Sequence, residues 1–328
     1  MNTLAKLCVA LFLTFILPVG ICSAADPLAP AETTVLKWKD GKKAVFMLAF
    51  DDGCPTHLKN VIPELEKRKI VGTFYIVTGN RLYKGLQLKW EIAARNPYVE
   101  FDNHTFTHKG ASSVAELEPE LEKCNEVINR LYPDRKQPRL IAFGKPGGVP
   151  WKISSDELKT ALAKYNLIDR PPFYGPPMHY KSAAECIAAV DKAIAKGEMG
   201  HLDFHGVGGD WLVTPMEWFT ALLDKLEASR DQLWITDTAS YQKYLTERQS
   251  AEVKVLQSDK SGIRIELSSK ADPAFYDLPL TLSTKVPADW KSCIIEQKAA
   301  KTTVAVQNGA VQYSALPGGG EISIRPAQ

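Results

Sequence analysis

Short apolar runs alternate with segments of helical periodicity from residue 44 to residue 238. The apolar runs read AVFMLAF, GTFYIV, YVEF, RLIAF, YNLID, GHLDF and LWIT. The segment after the first run places Leu58, Val61, Ile62 and Leu65 at the spacing of one helix face. Strands that alternate with helices favour a parallel sheet with helices packed against it. The pattern therefore predicts an α/β domain whose sheet is closed, or nearly closed, into a barrel.

The pattern changes after residue 250. Only strand-like pieces follow, namely VKVL, GIRIEL, PLTLSTKV, TTVAVQ, AVQYSAL and EISIRP, and glycine, proline and asparagine separate them. We therefore expect a barrel domain at residues 26–250 and a small C-terminal all-β appendage at residues 251–328. We favour a packing role on the side of the barrel over carbohydrate binding, because a β fold alone carries no function.

The beginning of the chain has the pattern of a secretory signal peptide. Lys6 precedes an apolar run at residues 7–17, and the small residues Ser23, Ala24 and Ala25 follow. The run is shorter than the roughly 20 apolar residues that a membrane span needs. We therefore expect residues 1–25 to be removed and the protein to be secreted or periplasmic, without stable membrane insertion after cleavage. A retained anchor is the less favoured alternative.

The charge balance limits the classes of partner that we expect the protein to bind. Lys and Arg number 40 and Asp and Glu 38, so no basic excess is available to bind nucleic acid. A neutral carbohydrate is compatible with this balance.

Outside the predicted signal peptide the cysteines are Cys54, Cys124, Cys186 and Cys293. Disulfides and buried free thiols both remain open for them, and the sequence does not indicate an oligomeric state.

Polar residues follow five of the predicted strands. They are Asp51 and Asp52, His104 and His108, Lys145, Asp169 and Arg170, and His205. The carboxyl ends of the strands of a parallel β/α barrel gather on one face, where catalytic groups lie. We therefore expect these side chains to share one rim of the barrel.

His104 and His108 are candidate metal ligands only if the chain turns between them. An extended chain would separate them by about 13 Å, whereas one helical turn brings them to about 6 Å along the axis. With one carboxylate of AFDDG they would form a site with open positions for water and substrate. Nitrogen and oxygen donors suit Zn²⁺ best, and Co²⁺, Ni²⁺ or Mn²⁺ also fit. The simpler alternatives are a surface histidine pair and a helix cap near Pro55.

The motifs AFDDG, NHTFTH, FGKPGG and LDFHG, in this order, resemble those of the polysaccharide deacetylase family, the NodB-homology domain of carbohydrate esterase family 4. The resemblance covers about residues 44–245. It implies a deformed (β/α) barrel, a divalent metal and hydrolysis of acetyl groups on sugars.

The resemblance also implies a division of labour. By motif position, Asp51 would be the general base, and Asp52, His104 and His108 would be the metal ligands. His205 would protonate the departing amine. The reading from strand ends selects the same residues and leaves their roles open.

The chain departs from the family pattern in its third and fourth motifs. The family carries an arginine that orients the base, but Gly144 stands at that place. Arg170 or Lys145 could supply the cation instead. Gly147 is a candidate backbone donor for the oxyanion, and Trp211 is a candidate for stacking on a sugar, with core packing as its alternative.

The remaining polar candidates are expected to have supporting or structural roles. Asp169 or Asp203 could tune His205, because the fourth motif is not found in order. His201 is predicted to be a hydrogen-bonded interior histidine and not a ligand. His57 and His179 are predicted to lie on the surface.

The expected function is that of a secreted metal-dependent hydrolase that removes acetyl groups from a polysaccharide or oligosaccharide, with N-deacetylation favoured. The alternatives are an O-acetyl esterase on acetylated polysaccharide and a non-catalytic carbohydrate-binding protein built on the same barrel. The partner in each case is an acetylated carbohydrate.

Overall fold

The computed structural model describes residues 32–173 and 180–327. The predicted signal peptide and His179 lie outside the described residues. The strands of the first domain region are β1 (Thr33–Val35), β2 (Ala44–Phe50), β3 (Gly72–Ile76), β4 (Val99–Asn103), β5 (Ile141–Phe143), β6 (Leu167–Asp169), β7 (Met199–Phe204) and β8 (Leu233–Ile235). The helices are α1 (Ile62–Lys67), α2 (Arg81–Gly85), α3 (Gln87–Ala93), α4 (Val114–Leu131), α5 (Ser155–Lys164), α6 (Ala183–Lys196), α7 (Met216–Ala228) and α8 (Thr238–Gln249).

The central sheet is parallel and has the order β6-β5-β4-β3-β2-β7, with β8 also paired to β2. Each predicted apolar run overlaps one of these strands. The α/β fold and the curled barrel sheet are therefore confirmed. A helix follows most strands, which is the connection that parallel strands require.

The barrel is deformed where β2 meets three neighbours. The first half of β2 pairs with β8, the second half with β3, and most of its length with β7 on the other side. Within residues 32–173 and 180–327, no ladder joins β6 to β7. The sheet is thus curled but open between these two strands.

Phe50 lies at the centre of the aromatic core beneath the carboxyl ends of the strands. Its ring stacks on Phe74 at 4.7 Å and on Phe204 at 5.7 Å, and Phe219 meets it edge-on at 5.9 Å. All residues of β2 are buried. Burial on both faces explains why this strand reads as a continuous apolar run without alternation.

The C-terminal region consists of β9 (Ala251–Asp259), β10 (Gly262–Ser269), β11 (Leu280–Lys285), β12 (Ser292–Gln297), β13 (Ala300–Ala305), β14 (Ala310–Ala315) and β15 (Ile322–Pro326). One sheet has the order β13-β12-β15-β10-β9 and the other β1-β11-β14. Their inner faces share an apolar cluster with Met47 and Trp234 of the barrel strands and Tyr244 of α8. The all-β appendage is present and covers one side of the barrel.

The pairing of β1 differs from the expected division of the chain. Residues 33–35 were expected within the barrel domain, but β1 pairs antiparallel with β11 of the appendage. A pairing between segments almost 250 residues apart leaves no signal in the local pattern. The expected boundary after residue 250 falls between α8 and β9.

Cys54, Cys124, Cys186 and Cys293 are buried free thiols. Burial raises the pKa of Cys124 to about 12 and that of Cys293 to about 11. These thiols therefore stay protonated and act as small apolar residues of the core. Of the two possibilities left open by the sequence, the structure has the thiols.

The helices of the described residues include none with both the length and the apolarity that a membrane crossing requires.

Replacing Phe50 with alanine tests the aromatic core. We expect Phe50→Ala to lower the free energy of unfolding by about 3–5 kcal/mol, because it removes a fully buried ring and its aromatic contacts. Urea denaturation followed by circular dichroism measures this value. Leu88→Ala on α3, where the side chain is 68% exposed, is the control and should change it by no more than about 0.5 kcal/mol. A loss below about 1 kcal/mol for Phe50→Ala would contradict the assigned packing.

Candidate active site

The carboxyl ends of the barrel strands surround a cavity of about 390 Å³. Of the side chains predicted to share one rim, all but Asp169 line it together. The lining residues are Asp51, Asp52, His104, His108, Lys145, Gly147, Gly148, Arg170, Phe173, Asp203, His205 and Leu212. Residues far apart in sequence therefore meet at the rim, as the positions of the strand ends led us to expect.

Asn103 shapes the turn that brings the two predicted histidine ligands together. Its side-chain oxygen accepts from the Thr105 backbone N–H at 2.8 Å, and its amide group donates to Leu121 O of α4. The Thr105 hydroxyl then accepts from the His108 backbone N–H at 3.0 Å. Thr105 and His108 have φ values of 63° and 61°. The expectation of a helical turn is wrong: two left-handed residues, held by side-chain hydrogen bonds, reverse the chain instead.

His104 is oriented by a backbone carbonyl. Its Nδ1 lies 2.6 Å from Gly144 O, and because a carbonyl only accepts, Nδ1 carries the proton. Nε2 of the neutral ring is then free to ligate. A Cβ at Gly144 would lie 2.9 Å from the Tyr75 ring and 3.2 Å from His104 Nδ1. The packing under His104 therefore leaves no room for the arginine that the family pattern places here.

Asp52, His104 and His108 offer three ligand atoms within 4.8 Å of one another. Asp52 Oδ1 lies 3.3 Å from His104 Nε2 and 3.2 Å from His108 Nε2. This oxygen is buried and has no hydrogen-bond partner among the described residues. An acceptor oxygen and an unprotonated imidazole nitrogen at such a distance repel each other unless a cation or a proton lies between them. The donor set and its geometry therefore fit a divalent metal ion.

The Asp52 carboxylate and the His108 imidazole shift one another's pKa. Burial raises the pKa of Asp52, but the contacts with His104 and His108 outweigh burial and hold it well below its usual range. The nearby Asp52 carboxylate raises the pKa of His108. The carboxylate is therefore ionised, and the cluster carries the negative charge that attracts a cation.

Asp51 is paired with the guanidinium group of Arg170. Arg170 donates from Nη1 to Asp51 Oδ1 at 2.7 Å and from Nη2 to Oδ2 at 3.1 Å. Burial raises the pKa of Asp51, yet Arg170 and His104 overcome burial and lower it to about 2. Arg170 thus occupies the place beside Asp51 that the sequence assigned to either Arg170 or Lys145. Arg170 Nη1 also lies 3.3 Å from Asp203 Oδ2, so one guanidinium links β6 to β7 across the opening of the sheet.

His205 faces the cluster from the end of β7. Its Nε2 lies 3.6 Å from Asp52 Oδ2, and burial lowers its pKa. Its Nδ1 has no hydrogen-bond partner among the described residues. The expectation that Asp169 or Asp203 tunes this ring is not met, because Asp169 is exposed and Asp203 pairs with Arg170.

His57 is not a surface residue, contrary to expectation. It is fully buried, its Nε2 lies 2.7 Å from His205 O, and burial lowers its pKa to about 4. As a neutral ring it can donate to that carbonyl and position the backbone of His205. Its position at the start of an irregular helical segment, five residues after Asp52, gave no sequence signal for this contact. His201 is buried against Phe173, as expected of an interior residue, but neither ring nitrogen has a hydrogen-bond partner among the described residues.

The predicted substrate-binding residues occupy different places. Gly147 lines the cavity, and so does Lys145, whose Nζ also lies 4.9 Å from the centre of the Trp151 ring. Trp211 donates its indole N–H to Asp52 Oδ2 at 2.8 Å. The sequence did not predict this contact. From the same loop, Leu212 lines the cavity and was also missed.

A match to a known family covers the part of the chain that contains the aspartate pair and the two histidines. Residues 39–166 match the polysaccharide deacetylase family, a range that contains Asp51, Asp52, His104 and His108. A gellan lyase from Bacillus sp is 27% identical over 109 residues, which make up 32% of this chain and 4% of that protein.

Two solved structures are similar at low sequence identity. A family 4 carbohydrate esterase from Streptomyces lividans in complex with acetate is 16% identical, and the match covers 58% of this chain and 91% of that one, with a TM-score of 0.45. A family 4 carbohydrate esterase pseudoenzyme from Bacillus anthracis is 17% identical, over 63% of this chain and 67% of that one, with a TM-score of 0.42. Residues 39–166, which contain the motifs AFDDG, NHTFTH and FGKPGG, are thus similar to the polysaccharide deacetylase family.

Proposed function

We propose that this protein is a secreted, metal-dependent hydrolase that removes acetyl groups from the sugars of a polysaccharide or oligosaccharide, with N-acetyl groups as the main target. The observation that carries the proposal is the convergence of Asp52, His104 and His108 within 4.8 Å, beside a second carboxylate with its own guanidinium partner. A binding protein has no need for a ligand cluster and a separately ionised carboxylate at one rim.

Asp52, His104 and His108 would hold the metal, and Zn²⁺ suits two nitrogen donors and one oxygen donor best. When bound, such an ion polarises the acetyl carbonyl and lowers the pKa of a water molecule beside it. Co²⁺, Ni²⁺ and Mn²⁺ accept the same donors.

Asp51 is the proposed general base. It is ionised because Arg170 lowers its pKa, and two hydrogen bonds from that guanidinium fix the plane of the carboxylate. A fixed orientation keeps one oxygen directed at the water whose proton it takes. The same carboxylate lies 3.9 Å from His104 Nε2, so base and ligand cluster are in contact.

His205 is the proposed general acid. It lines the cavity from the end of β7, and in its protonated form it can deliver a proton to the departing nitrogen. We propose that the backbone N–H of Gly147 donates to the oxyanion and that Lys145 contacts the sugar, because both residues line the cavity. Phe173 and Leu212 supply apolar walls of the cavity.

Acetate release separates the candidate activities. Purified protein would be assayed on chitooligosaccharides and on acetylated xylan, with and without a chelator. We expect chelator-sensitive release from the N-acetylated substrate. Release from xylan alone would favour an O-acetyl esterase, and no release from any substrate would favour a carbohydrate-binding protein.

Asp51→Asn tests the base. We expect kcat to fall by a factor of at least about 100, because the amide cannot accept the proton from water. Zinc affinity, measured by competition with a chromophoric chelator, should stay near that of the wild type. Retained turnover would overturn the assignment of Asp51.

His104→Ala tests the metal site. We expect the variant to lose zinc affinity by a factor of at least about 100, because one of three protein ligands is removed. Isothermal titration with zinc chloride measures it, and Lys109→Ala, on an exposed neighbour, is the matched control. Equal affinity in His104→Ala and the control would exclude the proposed cluster.

Arg170→Met tests the partner of the base. Removing the guanidinium raises the pKa of Asp51, so the acid limb of the pH profile of kcat/KM should move to higher pH by about 1–3 units. Arg170→Lys keeps the positive charge and should shift the limb less. An unmoved limb in Arg170→Met would show that this cation does not set the ionisation of the base.

A further inference from the structure

The loop after β7 is folded back on itself and presents Trp211 to the site. Gly206 N–H donates to Trp211 O at 3.0 Å, and Thr214 N–H donates to Gly206 O at 2.8 Å. Asp210 and Leu212 have φ values of 64° and 50°. Left-handed backbone is unfavourable for an aspartate and more so for a leucine, so the surrounding contacts must hold this conformation.

The loop is tied to the segment that follows Asp52. The Thr56 backbone N–H donates to Asp210 Oδ2 at 2.7 Å, and the Asn60 side chain donates to Val207 O at 2.7 Å. In the same segment, His57 Nε2 lies 2.7 Å from the carbonyl oxygen of His205, which follows β7. These contacts join the segment after β2 to the loop after β7, so the position of Trp211 is set relative to Asp52.

The two oxygens of Asp52 face different partners. Oδ1 faces the imidazoles of His104 and His108, whereas Oδ2 accepts the indole N–H of Trp211 at 2.8 Å. The terminal torsion of an aspartate is broad, so an unrestrained carboxylate would sample orientations that turn Oδ1 away from the histidines. A donor fixed on Oδ2 removes this freedom.

We propose that Trp211 is a positioning residue of the metal site: its indole N–H fixes the Asp52 carboxylate so that one oxygen is presented to the ion. The inference rests on the proposed function, since it requires that Asp52, His104 and His108 bind a metal. It also replaces sugar stacking as the main role of this side chain, because the loop lines the cavity through Leu212.

Hydrogen bonds to the distal atom of a metal ligand commonly contribute a factor of about 10–100 in metal affinity. Trp211 is 37% exposed, which screens its interaction with Asp52 and points to the lower part of this range. The indole N–H donates to a charged acceptor, the kind of hydrogen bond that is stronger than a neutral one.

The test is zinc affinity of full-length Trp211→Phe, which keeps an aromatic ring and loses the donor. Zinc chloride is titrated against a chromophoric chelator. We expect the Kd to rise about tenfold in Trp211→Phe, while Val213→Ala, on the same loop at a side chain that is 50% exposed, stays within about twofold of the wild type. The visible spectrum of the Co²⁺ form should change in Trp211→Phe, because the geometry of the carboxylate changes.

Kinetics at saturating zinc separate positioning from stacking. Positioning predicts that KM for a chitooligosaccharide is unchanged in Trp211→Phe and that added zinc restores much of kcat. Wild-type zinc affinity together with a raised KM in Trp211→Phe and Trp211→Ala would overturn the inference in favour of stacking. A lowered thermal midpoint of the metal-free Trp211→Phe with unchanged zinc affinity would overturn it in favour of a role in loop packing.

The two proposals fail separately. If the wild type binds zinc and Trp211→Phe binds it equally well, the positioning role is wrong and the proposed function stands. If the wild type itself binds no zinc, the metal-dependent function is wrong, and the positioning role is wrong with it.

Discussion

Two adjacent carboxylates at the buried end of β2 are the constraint around which the site is organised. Burial raises the free energy of each ionised carboxylate, and two negative charges side by side raise it further. Each therefore needs its own positive or donor partners. Asp51 receives the Arg170 guanidinium, and Asp52 faces two imidazoles and an indole N–H. Under the proposed function this separation of partners would also separate roles, with Asp51 exchanging a proton and Asp52 ligating the metal.

The open barrel determines where the guanidinium comes from. In the third motif Gly144 packs against Tyr75 and accepts a hydrogen bond from His104, so a longer side chain does not fit there. Arg170 at the end of β6 reaches Asp51 instead and also contacts Asp203 on β7. The proposed base, Asp51, thus receives its cationic partner from another strand end. The departure in the motif is therefore consistent with an intact site.

A second layer of side chains supports the groups that line the cavity. His57 contacts the backbone of His205, Asp210 accepts from the segment after Asp52, and Trp211 donates to Asp52 itself. All three lie between β2 and β7, which are paired along most of their length. The pairing brings the loops after these strands into contact, so the strand ladder, and not any local motif, places the second layer.

The sequence predicts the strands of the barrel, their parallel orientation and the polar residues at their ends. This is possible because burial on both faces produces continuous apolar runs, and polar residues interrupt these runs at the rim. The motif spacing also identified Asp51, Asp52, His104 and His108. The tertiary structure alone decided the left-handed turn at Thr105 and the burial of His57. It also decided the contact of Trp211 with Asp52 and the pairing of β1 with β11. The turn depends on short-range side-chain hydrogen bonds, which hydrophobic periodicity does not report. The other three depend on segments distant in the chain coming within a few ångströms, and local periodicity contains no information about such distances.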